Sequence, residues 1–416
     1  MCYNWWLMKV KKGLITLTLL MLCLLLIGCT PPPNFDSRLG SILKPYRFSL
    51  VKWEGRAIPH EIGQWFSQAK RGGDETHVVT EYFAVIERIK TLESEIRAIN
   101  DGNKQGDLAL LEAELTTLHD YKIAVKDVVE RIIERQAKQA LAEQGVFNPL
   151  DRYIMVRVNF PPLNFKLEEP PHLLVISPRD KIASIRRIYL QQSIDLKKIE
   201  DIEAEVDKLG MSSLVVELGG LAMTYPSFVT DDGSLEFTIR AATEEWLHQY
   251  LVFKPLGVLY LLDQLGVSRN YEVVTMNETV TSMISKEISA IVVETYYPEY
   301  EDVNNINQKE DTEFDFNQEM QKIRRAVDNY LADGEIEQAE QFMEDMRQYL
   351  ASKGHHIRKL NQAYFAFHGV YADSPTSVDP IGLELKELRS RTTSLREFLN
   401  TVAVMTSRQD LKQSIE

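Results

Sequence analysis

Beyond position 29 the chain has no cysteine; Cys2, Cys23 and Cys29 are the only three in 416 residues. Disulfides, thiol nucleophiles and cysteine-ligated zinc or iron–sulfur centres are thereby excluded from the body of the protein. Positive charge is scarce as well. The formal charge is −14, and because Lys9, Lys11 and Lys12 put +3 into residues 1–28 with no acid among them, the remainder stands at −17. A surface of that sign repels phosphate backbones, so no nucleic-acid partner is expected. The chain also lacks a Gly-x-Ser-x-Gly elbow, a phosphate-cradling glycine loop and a dinucleotide fingerprint. Proline is limited to 16 residues against 44% hydrophobic and 26% charged, which excludes a disordered or collagen-like chain and leaves ample length for a packed core.

The lysines at 9, 11 and 12 precede an apolar run from Leu14 to Ile27 that closes on Gly28-Cys29. A charged stretch, an apolar stretch and a small residue before a cleavage point make an export signal over residues 1–28. The ending Leu26-Ile27-Gly28-Cys29 resembles the bacterial lipobox, which implies that Cys29 becomes the lipid-bearing N-terminus. The alternative is an uncleaved single-pass anchor, for which the apolar run is short. Either way the body is expected outside the cytoplasmic membrane and attached to it. Thr30-Pro31-Pro32-Pro33 suits a stiff extended spacer, opening a lead-in over 29–77.

Apolar residues at Tyr82, Val85, Ile89, Leu92, Ile96 and Ile99 predict one helix, and a run from Leu108 through Leu115 and Val125 to Ile132 predicts a second. The turn residues Asn100–Gly106 between them give a long antiparallel helical hairpin over 78–147, whose stripe packs on itself or on the body. Past Asn148-Pro149, strand-like stretches occur at Tyr153–Phe160, Leu173–Ser177 and Ser213–Leu218, with a further candidate at Leu235–Ile239. Helical patterns lie at Ile182–Leu209, Ala241–Phe253 and Asn277–Ala290. The mixture predicts an α+β fold, mostly helical with a small mixed sheet. Glu299–Phe314 is acidic and asparagine-rich, a solvated loop or lid over 299–315. Two helices, Phe316–Leu331 and Ile336–Ser352, open a C-terminal helical region over 316–416 that continues through Ile357–Phe367 into a charged tail.

Within Ala241–Phe253 the order is Thr243-Glu244-Glu245-Trp246-Leu247-His248-Gln249-Tyr250. Glu244 and His248 are one turn apart and share a face, with Glu245 one step round, on a helix otherwise rich in apolar residues. In zinc peptidases the spacing His-Glu-x-x-His supplies two metal ligands and a glutamate base. Asn277-Glu278-Thr279-Val280 opens another helix 30 residues downstream, and the glycine-rich segment Gly219–Ser227 upstream suits close approach of a substrate backbone.

Together these motifs resemble a family of bacterial lipoproteins with a gluzincin-like metallopeptidase core, in which the helix reads His-Glu-Trp-x-His-His and is followed by Phe-x-Pro-Leu-Gly and Asn-Glu-Thr-Val. The chain keeps Glu245-Trp246, His248, Phe253-Lys254-Pro255-Leu256-Gly257, Asn277–Val280, Ser177-Pro178-Arg179-Asp180 and Leu360–Phe367, and the similarity runs from about Asn148 to Val402. The resemblance implies a zincin-like core over 148–298, Glu245 as general base, and Glu244, His248 and Glu278 as the ligand set of a zinc ion. Tyr364, in the aromatic run Tyr364–Phe367, is the expected stabiliser of an oxyanion. The chain departs from the family at Glu244, where a ligand histidine is expected, and at Gln249, which replaces the second histidine of the pair. A second carboxylate in the ligand set lowers the net charge at the metal and weakens it as a Lewis acid. Two readings therefore stand: a membrane-anchored metallopeptidase-like enzyme acting on a peptide or protein, and a catalytically inactive relative that binds a partner through the same cleft. His355-His356 reads as a surface or capping pair, and Arg179 as an ion-pair residue fixing the sheet to a helix.

Overall fold

The structure, a computed structural model, describes residues 33–49, 53, 75–149, 160–300 and 314–416. The expected signal peptide, Cys29, the spacer up to residue 32, the strand residues 153–159 and loop residues 301–313 lie outside them. Helix α1 (Pro33–Leu43) opens at a proline, whose fixed φ and missing N–H suit a first helical turn. Helices α2 (Glu75–Asn100) and α3 (Leu108–Glu143) lie antiparallel, tied by Arg88 to Glu114 at 2.7 Å and by Arg135 to Glu75. Asp107 caps α3 by accepting from Leu110 N. The buried face of α2 is Val79, Tyr82, Phe83, Ile86, Ile89 and Leu92, with the expected Val85 only half-buried. On α3 burial starts at Val129, so that the far half of the pair, with Leu110 and Ile123, is largely exposed.

Six strands follow, with one helix among them: β1 (Phe165–Leu167), β2 (His172–Pro178), β3 (Arg186–Leu190), α4 (Leu196–Asp207), β4 (Met211–Val216), β5 (Gly220–Leu221) and β6 (Ser227–Val229). They form two three-stranded sheets where one was expected. The order β3-β2-β4 is antiparallel throughout; in β1-β6-β5 the first pair is parallel and the second antiparallel. Strand β2 is central and covered on both faces, which is why Leu173–Ile176 is an unbroken apolar run. Leu174 and Ile176 pack with α1 and α4, whereas Leu173 and Val175 face the opposite way beside Leu214.

One edge of each sheet is closed by the same device. Glu130 and Glu134, one turn apart on α3, accept from Leu167 N at 2.8 Å and Phe165 N at 3.1 Å, alternate amides of β1. Glu203 and Asp207, one turn apart on α4, accept from Val215 N at 2.6 Å and Ser213 N at 2.9 Å, alternate amides of β4. The match is metric: four residues of helix rise about 6 Å and two residues of strand about 6.6 Å. Lys166 and Arg358 supply the counter-charge, donating to Glu130 at 2.8 Å and to Glu203 at 2.6 Å. An edge so covered cannot template pairing with another chain.

The remaining helices are α5 (Leu235–Leu251), α6 (Pro255–Gln264), α7 (Tyr271–Tyr296), α8 (Phe316–Ala332), α9 (Ile336–Ser352), α10 (Gln362–His368), α11 (Ile381–Arg391), α12 (Leu395–Ala403) and α13 (Arg408–Ile415). The expected strand Leu235–Ile239 is instead the start of α5. Ser234 caps it by accepting from Phe237 N, and Leu235, Thr238, Ile239 and Ala242 are buried at helical spacing, which outweighs the alternation Leu235, Phe237, Ile239. Within Ile182–Leu209 the segment Arg186–Leu190 is strand, because pairing with β2 overrides its helical pattern, and helix begins only after the Asp195 cap. Of Ile357–Phe367 only the end is helical, from the Asn361 cap onward. Arg179, just past β2, pairs with Glu340 on α9 at 2.6 Å and so does fix sheet to helix, although it is half-exposed. The main core joins the base of α2 and α3 to α5, α7 and α11–α13. Among the described residues no helix is long and apolar enough to cross a membrane.

The contrast along α3 gives a stability test. Ile133 is 0% and Ile123 71% exposed. Truncating Ile133 to alanine is expected to cost about 2–5 kcal/mol in urea unfolding, and Ile123→Ala less than about 0.5 kcal/mol.

Candidate metal centre

Helices α5 and α7 cross in the core, and the face of α7 toward α5 carries the buried small polar residues Asn277, Thr281 and Ser285, while Thr279 faces the turn after α10, bonded to Val370 O and Ala372 N. Short side chains let the two helices approach, and hydroxyls satisfy themselves on their own helix, as when Thr281 Oγ1 donates to Asn277 O at 3.1 Å. Into this crossing project Glu244 and His248 from α5 and Glu278 from α7. One donor atom of each lies within 4.8 Å of the others. His248 Nε2 is 3.5 Å from Glu278 Oε2, both residues being less than a tenth exposed, as the placing of these side chains on two crossing helices requires.

The surroundings fix each group. Asn277 Oδ1 accepts from His248 Nδ1 at 2.8 Å, so Nε2 is the nitrogen aimed at the acids. Tyr260, on α6, stacks its ring on His248 at 5.1 Å between centroids and donates its hydroxyl to Glu278 Oε1 at 2.8 Å. Tyr371 lines the same cavity as Glu278. Glu245 packs its carboxylate on Gly220, and Gln249 donates to the carbonyls of Ala222 at 3.2 Å and Thr224 at 2.9 Å. Residues one turn apart on α5 thus meet the segment that runs from β5 into the loop beyond it. The second histidine of the resembled pair is replaced by a tether.

Electrostatically the cluster is short of positive charge. Burial pushes the Glu244 carboxyl up to about 7, with Glu278 and Asp373 adding to the effect, and burial with Glu244 and Glu278 pushes Glu245 up to about 8. Burial works against charging His248, but the three carboxylates outweigh it and push the imidazole up to about 9. Burial likewise opposes ionisation of Glu278, yet His248, Arg187 and Tyr260 hold it below the ordinary carboxylate range. Tyr260 and Tyr371 are driven well above the usual phenol range by burial and by Glu278.

A cavity of about 90 Å³ opens on the cluster, lined among others by Glu245, His248, Glu278, Tyr260, Tyr371 and Arg187. Four residues expected at the site, Glu244, Glu245, His248 and Glu278, are therefore brought together. Tyr364 is not brought to them. It packs against the sheet and against His368, at 4.3 Å between ring centroids, and lines a different cavity with Tyr271 and Arg324. The turn after α10, where Tyr371 N meets His368 O at 3.4 Å, sends Tyr371 inward in its place. Sequence reasoning also passed over Tyr260 and Arg187; the only signal for Tyr260 was its place on the helix opened by the Pro255-Leu256-Gly257 motif. His355 stacks on Phe316 at 4.5 Å and His356 is exposed, both remote from the cluster.

No family model, no curated protein and no solved structure matches the chain. The site's chemistry is argued from its own residues.

Gly220 tests the packing over Glu245. A Cβ there would overlap the Glu245 carboxylate and lie 2.8 Å from its Cγ, whereas Gly40, on α1, has nothing within 4 Å of a Cβ. Gly220→Ala is expected to destabilise by about 1–3 kcal/mol, and the loss to shrink in a Glu245→Ala background. Gly40→Ala, a helix-interior change into open space, is expected to gain about 0.5–1 kcal/mol. Chemical denaturation of the parent and the four variants gives both answers.

Proposed function

We propose that the protein is a membrane-anchored, extracytoplasmic metallopeptidase-like hydrolase acting on a peptide or protein, with a divalent metal, zinc being the expected ion. The observation that carries this reading is the convergence of single donor atoms from Glu244, His248 and Glu278 to within 4.8 Å beside an open cavity. Two features make the donor set suit a cation. His248 Nδ1 is engaged by Asn277, which leaves Nε2 for a ligand bond. Three carboxylates share one imidazole, and the positive charge they lack is what a divalent ion brings. Bound there, such an ion supplies Lewis acidity, polarising a carbonyl and acidifying water.

The chain's own residues account for the rest. Glu244, His248 and Glu278 would hold the ion, and Asn277 sets the ring angle of His248. Glu245 reaches the cavity from the same turn of α5 and serves as the proton acceptor and donor at its carboxylate. The hydroxyls of Tyr371 and Tyr260, kept protonated by burial, are the donors available to a developing oxyanion, the role expected of Tyr364. Gly220, without a Cβ, lets the Glu245 carboxylate lie against the β5 backbone at the edge of the cavity. The location rests on the Leu14–Cys29 pattern. A partner-binding reading without catalysis draws its support from Glu244 and Glu245, whose raised carboxyls can share protons and hold the cluster together without an ion.

Calorimetric zinc titration is expected to find one site. Asn277→Ala should weaken it by about 10–100-fold and His248→Ala more, while Glu244→His, which exchanges a hard anionic ligand for a neutral nitrogen, should tighten it. Peptide hydrolysis should rise in Glu244→His and vanish when Glu245→Gln is added, with circular dichroism as the folding control. If the parent binds zinc no better than His248→Ala, the partner-binding reading takes over. Mass spectrometry of membrane-extracted protein should find a chain starting at an acylated Cys29; an unacylated chain beginning upstream would remove the lipid anchor.

A further inference from the structure

Strand β3 puts Arg186 and Arg187 on opposite faces, since side chains alternate along a strand. Arg186 turns to α1, where it donates to Asp36 at 3.2 Å. Arg187 turns the other way, with Tyr189 two residues on, and both line the cavity that holds Glu245, His248 and Glu278. Arg187 also lines a second, larger groove of about 910 Å³ that runs on past Lys181 and Arg269, and Gln264 is common to both. The two spaces therefore adjoin at Arg187.

What sets Arg187 apart from its neighbours is that no acid among the described residues pairs with it directly. Arg269 donates to Asp263 and to Ile185 O, and Arg179 is forked onto Glu340. The one side-chain hydrogen bond of Arg187 among the described residues runs from Nε to Ser184 Oγ at 3.2 Å, and no described carboxylate oxygen lies within 4.0 Å of its guanidinium. The Ser184 bond engages Nε and leaves both Nη groups without a hydrogen bond among the described residues, on a side chain that lines both spaces. Across that cavity lie the carboxylates of Glu245 and Glu278 and the imidazole of His248, yet β3 holds the arginine too far away to close on either acid. A half-buried guanidinium with a free planar fork matches the two oxygens of a carboxylate.

We infer that Arg187 anchors a carboxylate of the substrate, and so selects peptides that present one next to the bond lying at Glu245. The inference rests on the peptidase reading only for what happens at that bond. The carboxylate has two sources, the free C-terminus of a short peptide or an acidic side chain within a longer one; both present the same pair of oxygens.

Three probes separate the sources: N-acetyl-trialanine with a free carboxylate, the same peptide as its C-terminal amide, and N-acetyl-Ala-Glu-Ala amide. Each is titrated calorimetrically into the full chain at low salt, with and without one equivalent of zinc. At least one carboxylate peptide is expected to bind on the order of tenfold tighter than the neutral amide, and Arg187→Gln to erase that difference, with Arg187→Lys keeping part of it. Preference for the free C-terminus assigns an exopeptidase-like subsite, and preference for the glutamyl peptide a side-chain subsite. Equal binding of all three, no binding of any, or a preference that survives Arg187→Gln overturns the inference; survival would mean that the bound zinc holds the carboxylate. Zinc affinity is read separately in the parent and in Arg187→Gln, where loss of a nearby positive charge should leave it equal or tighter. If zinc fails to bind while the carboxylate preference persists, the peptidase reading falls and the anion anchor stands.

Discussion

The crossing of α5 and α7 buries a carboxylate against an imidazole, and that contact constrains most of what surrounds it. A charge taken out of water must be paired and hydrogen-bonded or it neutralises. Glu278 meets the requirement through His248 and the hydroxyl of Tyr260, and remains the most acidic group of the cluster. Glu244 and Glu245 lack partners of that quality and are pushed toward the protonated form. The cluster is thus graded: one satisfied anion at the crossing and two reluctant ones on the turn above it. Such a gradation is what divides roles between a ligand and a proton-transfer group.

The two sheets serve this cluster from opposite sides. The antiparallel sheet presents Arg187 and Tyr189 to the cavity through β3, and the mixed sheet presents Gly220 through β5. Both have one edge locked by a helical pair of carboxylates on alternate strand amides. Because those locks fasten β1 to α3 and β4 to α4, the strands bordering the cavity are positioned relative to the helices by hydrogen bonds of 2.6–3.1 Å as well as by apolar packing. A site whose walls come from separate elements needs such fastening if its groups are to stay in register.

The parts of this arrangement that could be read from the chain are those whose signals are local. The helical turn carrying Glu244, Glu245 and His248 is set by spacing within eight residues. The α+β class with its dominant helices follows from periodicity in segments such as Tyr82–Leu92 and Phe316–Leu331. Elements made by pairing were harder. Strands β1, β5 and β6 have two or three residues each, too few for any alternation to register, and β3 carries a pattern that only its pairing to β2 resolves. Leu235–Ile239 satisfied both periods at once, and a single serine cap decided it. Tyr371 could not be told from Tyr364 because the choice depends on the path of the chain after His368. Arg187 was hidden for the same reason as its strand.

The two departures from the His-Glu-Trp-x-His-His pattern act on the same cavity in different ways. Gln249 spends its amide on Ala222 and Thr224, converting a position of possible charge into a neutral strut that holds the loop over Glu245. Glu244 does the reverse, adding an anion where a neutral ring would stand. With His248 uncharged, Glu244, Glu245 and Glu278 fully ionised would carry three negative charges around one small space, and a divalent ion would reduce but not cancel them. When those carboxyls are ionised the floor of the cavity is acidic, while the wall at Arg187 is cationic in every state, since a guanidinium does not lose its proton. A ligand with one carboxylate and one carbonyl meets a field that orients it end to end, carboxylate toward β3 and carbonyl toward the crossing. That polarity comes from the extra glutamate as much as from the arginine, and links the unusual ligand position to the choice of what enters.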